Sequence, residues 1–443
     1  MSIWLNSNNI SPSLIKQIET DLSHLKYNER NDTKTTVTGY TVSKGGYYVL
    51  PFYYGIDLIY RMYSTSLMSS SSTIKLSNYF TPSEYYNWVD SSNSKFMGKL
   101  TVQQIEIYPT IMDTLYNFRS TLLKFYTGFG KTTISIHIIN DLKLKTCILT
   151  HRIILMEQWY ESIKRYTPDL KVIIATTDIP TEQLEQYDII IVNIMNIPKR
   201  NKSFWNKFSF VIVDECHILG GEKTFQNLFY FNPQYLLGLT ASPEREDGMD
   251  ILLKWFMGPN WIERNMYRPF NVYIYQSNFS PLLKKNYAGD LDWNKVLKQM
   301  TENEKRNNLI VSIVNAFPDR NILVLCKRII QAKILHSKIK DAELFVSTSK
   351  EFNKDTRILI SSFSKSGVGF DFQKLDMLII ASDVKNMIIQ YTGRVFRKIN
   401  HIPIIIDIKD KCHILNSHLK ERVNYYKSIG GKINLSQLKK YKN

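Results

Sequence analysis

From about residue 96 onward, short hydrophobic segments alternate with longer segments whose apolar residues recur at helical spacing. Continuous apolar runs, each beside a plausible helix such as residues 330–340, are typical of a parallel sheet covered by helices. Two successive α/β units joined near residues 265–300 are therefore predicted. The segments predicted as strands are residues 146–150, 188–192, 210–213, 235–239, 322–326, 357–361, 377–381 and 402–406.

Residues 1–95 have a different character, rich in Tyr and Ser, with a serine run at 69–72. An aromatic stretch at 45–55, interrupted by Pro and Gly, predicts a strand. We expect a small N-terminal α+β domain here that is accessory or engages the substrate, with the Ser-rich residues 64–94 as its connection. Its aromatic residues either stack on nucleic-acid bases or form a core, and strand spacing favours the core; they are Tyr47, Tyr48, Phe52, Tyr53 and Tyr54.

The last segment of the chain, residues 411–443, is strongly basic. It holds eight Lys or Arg and a single acidic residue, Glu421. This composition predicts a basic helical tail that either contacts phosphate or is simply solvated.

The net charge of the chain indicates what kind of partner it binds. The 443 residues include 57 Lys and Arg against 40 Asp and Glu, a formal charge of +17, which indicates a polyanionic partner such as nucleic acid. Solubility or a lysine-rich codon bias is the alternative to that reading of the charge.

The hydrophobic content of 44% excludes wholesale disorder, and no apolar run is long enough to span a bilayer. The first residues lack the pattern of a signal peptide, so an intracellular protein is expected. The four cysteines are scattered singly, which suggests neither a zinc module nor disulfides.

Residues 127–132 (TGFGKT) follow an apolar stretch and open a helical segment, as a phosphate-binding loop does. Glycine lets backbone N–H groups approach phosphates, Lys131 supplies positive charge, and the Thr132 hydroxyl can bind Mg²⁺. The strict motif would place Gly where Phe125 stands, and an incidental Gly-rich turn is the alternative.

Residues 210–217 (FVIVDECH) run from an apolar strand directly into two carboxylates. A parallel strand places its carboxyl end at the ligand-binding edge of the sheet. Asp214 can then hold Mg²⁺, and Glu215 can polarise the water that attacks the γ-phosphate. The alternative is an acidic strand end followed by a structural His217.

Residues 390–397 (QYTGRVFR) place a Gln and two Arg on one segment of the second α/β unit. Arg394 and Arg397 could act as fingers on a transferring phosphoryl group, with Gln390 beside it. An ordinary solvated basic helix is the alternative.

With these motifs, residues 96–410 resemble the superfamily 2 helicases and translocases of the DExH type. Motifs I to VI of that family are matched, in order, by residues 128–132 (GFGKT), 149–159 (LTHRIILMEQW, motif Ia), 214–217 (DECH), 240–242 (TAS), 322–326 (ILVLC), 366–371 (SGVGFD) and 390–397. The resemblance implies two tandem RecA-like domains, at 96–265 and 266–410, that hydrolyse ATP with Mg²⁺ while moving on nucleic acid.

Finer resemblances concern particular helicases. Residues 245–247 (RED) look like the strand-separating element of XPB-type DNA helicases. Residues 303–307 (NEKRN) and 425–430 (YYKSIG) are similar to UvsW-type recombination helicases, and the chain also resembles the transcript-release DNA helicases of poxviruses and other large DNA viruses.

The resemblance implies a role for each matched residue. The catalytic group is Lys131, Asp214, Glu215, Gln390, Arg394 and Arg397, and the metal ligands are Thr132 and Asp214. Gln104 matches an adenine-reading Gln; the other nucleotide-binding residues are Gly128, Phe129, Gly130, Lys131, Thr132, Thr133, Gly369 and Asp371. Nucleic-acid contact or coupling falls to Thr150, Arg152, His217, Thr240, Ser242, Arg245, Glu246, Asp247, Ser361 and Gly367.

The predicted function is an ATP-dependent DNA helicase or translocase acting in viral transcription or in recombination and repair. DNA is expected as the partner more than RNA, together with an RNA polymerase or a recombination protein, and the motor is expected to be monomeric. A viral source would place it in the host cytoplasm or the virion. A DExH RNA helicase and a non-catalytic nucleic-acid clamp are the alternatives.

Overall fold

A computed structural model describes residues 2–28, 33–64, 94–245, 247–286, 289, 291–347, 349, 351–367, 372, 374–384, 388–396 and 401–436. The chain divides into two compact units. The first comprises Met1–Phe125 and Phe129–Arg264, and the second Tyr126–Gly128 and Asn265–Asn443. Within the described residues, no helix combines the length and apolar character needed to cross a bilayer.

The first unit is built on a seven-stranded sheet in the order β12-β6-β11-β10-β7-β9-β8, in which every pairing is parallel. Its strands are nearly all apolar because helices cover both faces. They are β6 Ser120–Phe125, β7 Thr146–Thr150, β8 Val172–Ala175, β9 Ile189–Asn193, β10 Phe210–Asp214, β11 Tyr235–Thr240 and β12 Ile262–Arg264.

Of the described helices of this sheet layer, the first precedes β6 and the others connect successive strands. They are α3 Val102–Phe118, α4 Lys131–Leu142, α5 Ile153–Tyr166, α6 Thr181–Leu184, α7 Lys202–Trp205, α8 Glu222–Phe225 and α9 Ile251–Met257. Strand β10 pairs with β7 and β11 so that Phe210 lies opposite Thr146 and Tyr235. The carboxyl ends of these strands therefore meet at one edge of the sheet, where ligands bind in open α/β folds.

The second unit repeats the architecture with a parallel sheet in the order β15-β16-β14-β17-β18-β13-β19. Its strands are β13 Phe270–Gln276, β14 Ile322–Cys326, β15 Ala342–Phe345, β16 Ile358–Ser362, β17 Met377–Ile380, β18 Ile404–Lys409 and β19 Gly431–Ser436. Its described helices are α10 Trp293–Glu302, α11 Glu304–Asn315, α12 Ile329–Lys338, α13 Phe363–Gly367, α14 Ile388–Val395 and α15 His413–Ser428. The two parallel sheets confirm the predicted tandem RecA-like fold.

The N-terminal residues form a small antiparallel layer on the first unit. Strands β1 Ser2–Asn6, β4 Thr41–Val42 and β5 Tyr47–Pro51 make one sheet, and β2 Ser23–Asn28 pairs with β3 Thr33–Thr38 as a hairpin. Helices α1 Pro12–Asp21 and α2 Phe52–Ser64 complete it. The strand prediction for 45–55 is wrong beyond Pro51, because Phe52, Ile56 and Ile59 recur at helical spacing and are all buried.

This layer shares one hydrophobic core with the first sheet and helix α9. Gly39 leaves so little room that an added Cβ would lie 2.4 Å from the ring of Trp255. Tyr48, Phe52 and Tyr54 are buried, as the core interpretation requires, whereas Tyr47 is 38% exposed. The serine-rich residues 65–93 lie outside the described residues.

The segment predicted as a basic tail is integrated in the second unit up to Ser436. Helix α15 leads into β19, which pairs in parallel with β13. Buried residues on α15, among them Leu419 and Tyr426, explain why this basic segment packs instead of remaining solvated. Residues 437–443 lie outside the described part.

Candidate functional site

The loop between β6 and α4 has the backbone geometry of an anion site. Gly128 and Gly130 adopt φ values of +97° and +88°, which glycine reaches without strain. Gly130 caps helix α4, whose first N–H groups have no partner within the helix and carry its positive end. Lys131 begins the helix, and its Nζ donates to the carbonyl oxygen of Phe125 at 3.0 Å. Thr132 and Thr133 follow in the first turn, so the loop can accept phosphate.

The side chain of Gln104 is hydrogen-bonded to the backbone of this loop. Its Nε2 donates to the carbonyl oxygens of Phe129 at 2.9 Å and Gly130 at 3.2 Å, and its Oε1 accepts from the backbone N of Thr101 at 2.8 Å. The side chain is 2% exposed. Because both amide hydrogens are engaged, these contacts support a role in shaping the phosphate loop more than the predicted reading of adenine.

Two carboxylates stand at the end of β10. Oδ1 of Asp214 accepts from the backbone N of Glu215 at 3.0 Å, and Oδ2 accepts from Nε1 of Trp159 at 2.9 Å. Burial and the charge of Glu215 raise the pKa of Asp214 to about 6. For Glu215, burial acts to raise the pKa, but the nearby His217 and the charge of Lys131 outweigh it and hold the value below its ordinary range. Glu215 is therefore ionised at neutral pH.

His217 links this strand end to the next one. Its Nδ1 lies 2.9 Å from Oγ1 of Thr240, at the end of β11, and 3.3 Å from Oε2 of Glu215. The same Thr240 hydroxyl oxygen accepts from the backbone N of Ser242 at 3.2 Å. The predicted coupling residues of motifs II and III are thus in direct contact.

Arg245 and Asp247 form a bidentate ion pair, with Nε–Oδ1 and Nη2–Oδ2 distances of 2.9 and 2.7 Å. Nη1 of Arg245 lies 3.4 Å from the carbonyl oxygen of His217, so the pair also reaches motif II. Glu246 lies outside the described residues.

The turn after β7 presents Arg152 to solvent, in keeping with its predicted contact to nucleic acid. Thr150, by contrast, is 1% exposed, and its hydroxyl donates to the carbonyl oxygen of Arg152 at 3.3 Å. Nε of Arg152 lies 3.1 Å from Nε2 of His151. Burial and the charge of Arg152 lower the pKa of His151 to about 4, so His151 is neutral. The structure offers no surface on Thr150 for the predicted nucleic-acid contact.

In the second unit, Arg394 lies on α14 and is 6% exposed. Ser361 is buried and donates to the carbonyl oxygen of Phe345 at 2.6 Å, which leaves it no exposed surface for the predicted nucleic-acid contact. Gly367 ends α13. Arg397, Gly369 and Asp371 lie outside the described residues, as does the side chain of Gln390.

Two residues of this site were not singled out from the sequence, namely Trp159 and His151. Both lie within the segment that resembles motif Ia, and helical spacing places Trp159 on the buried face of α5. The hydrogen-bond partner of Trp159, the Asp214 carboxylate, lies at the end of β10, far along the chain. No local sequence pattern indicates this contact.

Comparisons with known proteins agree with this geometry. The chain is 33% identical over 460 residues to "Putative helicase 161L" of Invertebrate iridescent virus 6, covering 97% of this chain and 98% of the relative. The family model "Type III restriction enzyme, res subunit" matches residues 97–245. The chain therefore belongs to the superfamily 2 helicases and is an ATP-hydrolysing member.

Further similarities are more distant. "Putative ATP-dependent RNA helicase L396" of Acanthamoeba polyphaga mimivirus is 25% identical over 453 residues, covering 95% of this chain and 83% of that protein. Among solved structures, the helicase Lhr of Mycobacterium smegmatis bound to ssDNA and AMP-PNP is 16% identical, with a TM-score of 0.47, covering 70% of this chain and 48% of that one. The predicted superfamily is confirmed, whereas its XPB-type, UvsW-type and poxviral subtypes stay predictions.

Proposed function

We propose that this protein is an ATP-dependent DNA helicase or duplex translocase that uses Mg²⁺ and acts in viral transcript release or in recombination and repair. The observation that carries the proposal is the contact of Glu215 and Thr240 through His217 at the carboxyl edge of the first sheet. The proposed proton acceptor for the attacking water is thereby joined to a segment that continues into Arg245. A change at the hydrolytic site can then be transmitted to the segment at Arg245, as a motor requires.

The nucleotide site fits Mg²⁺ because its donors are oxygens, the Asp214 carboxylate and the Thr132 hydroxyl, which this hard cation prefers. The adjacent half-buried carboxylates Asp214 and Glu215, the first with a raised pKa, repel each other, and a bound cation would relieve that repulsion. Mg²⁺ would neutralise charge on the phosphates. Lys131 would leave the Phe125 carbonyl oxygen to bind phosphate, and the ionised Glu215 would accept a proton from the attacking water.

The second unit is proposed to contribute Arg394 and Arg397 to the transferring phosphoryl group, with Gln390 beside it. Arginine suits this role because it is always charged and donates in a fixed planar arrangement. We expect Arg397→Ala to lower kcat much more than ATP affinity, since a finger contact forms mainly in the transition state. A defect confined to KM would contradict that role.

Hydrolysis itself is tested by Glu215→Gln. We expect near-abolished ATP turnover with ATP still bound, because the amide cannot accept the proton while its shape is retained. Glu182→Gln, at an exposed position on the short helix α6, is the matched control and should keep full activity. If Glu215→Gln turned over ATP at the wild-type rate, Glu215 would not be the group that accepts the proton from the attacking water.

DNA as the substrate rests on the resemblance of residues 245–247 to a DNA strand-separating element, whereas the name of the mimivirus relative suggests RNA. Stimulation of ATP hydrolysis by duplex DNA, single-stranded DNA and RNA, each at equal nucleotide concentration, distinguishes the two. Stimulation by RNA alone would replace the DNA proposal with an RNA helicase. Co-purification of an RNA polymerase or a recombination protein would then separate the two pathways.

A further inference from the structure

Helix α5 places a buried tryptophan, Trp159, beside the end of β10, where Asp214 and Glu215 lie. The helix begins directly after Arg152, and its buried residues Leu155, Met156, Trp159 and Ile163 recur at helical spacing. Trp159 is 2% exposed. An indole buried this deeply needs a partner for its N–H, and the choice of that partner is informative.

The partner is the carboxylate of Asp214, with 2.9 Å between Nε1 and Oδ2. The other oxygen, Oδ1, accepts from the backbone N of Glu215 at 3.0 Å. Each oxygen is thus held by one neutral donor. Because an ionised carboxylate offers about four acceptor positions, each oxygen still has a lone pair available for a cation. The two donors fix the rotation of the group without adding a positive charge that would compete with that cation.

We infer that Trp159 is a positioning residue that orients Asp214 for the divalent cation accompanying ATP. The inference rests on the proposed function, in which Asp214 binds that cation. Donors that orient a metal ligand commonly set its affinity, because a ligand that is already ordered loses less entropy on binding. The bond also ties α5, and through it the Arg152 turn, to the hydrolytic site.

A second buried tryptophan provides a matched comparison. Trp205 is 0% exposed and donates from Nε1 to the carbonyl oxygen of Ile197 at 3.0 Å. It packs among Phe204, Phe208 and Phe231. Trp159→Phe and Trp205→Phe therefore remove the same N–H and the same ring volume from equally enclosed places, but only the first touches Asp214.

The test is Mn²⁺ binding to the full chain with a non-hydrolysable ATP analogue, followed by electron paramagnetic resonance of free Mn²⁺. We expect Trp159→Phe to weaken Mn²⁺ binding about tenfold, with unchanged affinity for the analogue in the absence of metal. Trp205→Phe should bind Mn²⁺ as the wild type does. In steady-state hydrolysis, Trp159→Phe should need more Mg²⁺ for half-maximal rate and recover most of its kcat at saturating Mg²⁺.

Should Trp159→Phe fail to fold, benzothienylalanine at position 159 keeps the ring size and replaces only the N–H by sulfur. Wild-type Mn²⁺ affinity in either variant, or an equal loss in Trp205→Phe, would overturn the inference. Asp214→Asn distinguishes the metal role of Asp214 from the positioning role of Trp159. If it leaves Mn²⁺ binding unchanged, the proposed metal role of Asp214 fails; if it abolishes binding while Trp159→Phe has no effect, only the role of Trp159 fails.

Discussion

Gln104, predicted to read adenine, contacts the backbone of the phosphate loop. The resemblance to the helicase family implies an adenine contact, and in the structure its amide hydrogens are donated to the carbonyl oxygens of Phe129 and Gly130. A Cβ at Gly130 would lie 2.4 Å from its Nε2, so the loop and the side chain fit closely. From this fit we expect Gln104 to act on the nucleotide through the loop.

A choice between ATP and GTP distinguishes the two roles of Gln104. Gln104→Ala frees the loop, and we expect affinities for ATP and GTP to fall by the same factor, roughly thirtyfold for the loss of two hydrogen bonds worth about 1 kcal/mol each. An adenine reader would instead lose ATP affinity alone. The measurement is competition binding of both nucleotides, with Gln103→Ala, an exposed neighbour, as the control.

The chemical residues could be predicted from the sequence because each follows an apolar strand or a glycine turn, and both features are local. Lys131, Asp214 and Glu215 were named in this way. Trp159 could not be given its role, since its hydrogen bond joins positions 159 and 214, which only the parallel pairing of strands brings together.

At the scale of elements, helix α15 is joined by buried ion pairs to β18 and to the segment after β17. Arg422 donates from Nε and Nη2 to Asp407 at 2.8 and 2.9 Å, and from Nη1 to Oδ1 of Asp383 at 3.0 Å. The hydroxyl of Tyr425 lies 3.3 Å from Oγ1 of Thr392 on α14, the helix of the proposed arginine finger. A segment that composition marked as a tail is thus part of the support for motif VI.

Removing the Arg422 charge should destabilise the second unit strongly. Arg422→Met leaves Asp383 and Asp407 buried without their cation, and breaking a buried ion pair in this way costs about 3–5 kcal/mol. Lys420→Met, exposed on the same helix, should cost almost nothing. Urea unfolding of the full chain measures both changes. Equal effects of the two substitutions would show that α15 is peripheral to the unit.

The sheet strands were predictable to different degrees, and their surroundings explain this. Strands β7 and β14 matched their predicted bounds, because every residue in them is buried and the apolar run is unbroken. Strand β12, at a sheet edge, has only one buried residue, Ile262, and gave no apolar run. Strand β19 lies in the segment predicted from its basic composition to be a helical tail, so neither the strand nor its pairing with β13 was predicted.

For the whole molecule, the charge of +17 raises the question of which basic residues act on nucleic acid. Arg245 forms an ion pair with Asp247 and lies close to the carbonyl oxygen of His217, whereas Arg152 is exposed to solvent. A paired guanidinium releases few counterions on binding, because its charge is largely neutralised before DNA arrives. The two arginines should therefore differ in the salt dependence of binding.

We expect Arg152→Ala to reduce the slope of log affinity against log salt by about 1, and Arg245→Ala to leave that slope nearly unchanged. Arg245→Ala should instead lose unwinding while keeping DNA-stimulated hydrolysis, because its contacts join motif II to residues 245–247 and do not hold the nucleotide. Fluorescence anisotropy at several salt concentrations and a forked-duplex unwinding assay measure the two effects. The same loss of salt slope in both variants would mean that Arg245 leaves Asp247 to bind phosphate. A parallel loss of hydrolysis and unwinding in Arg245→Ala would make it part of the ATPase site and not of strand separation.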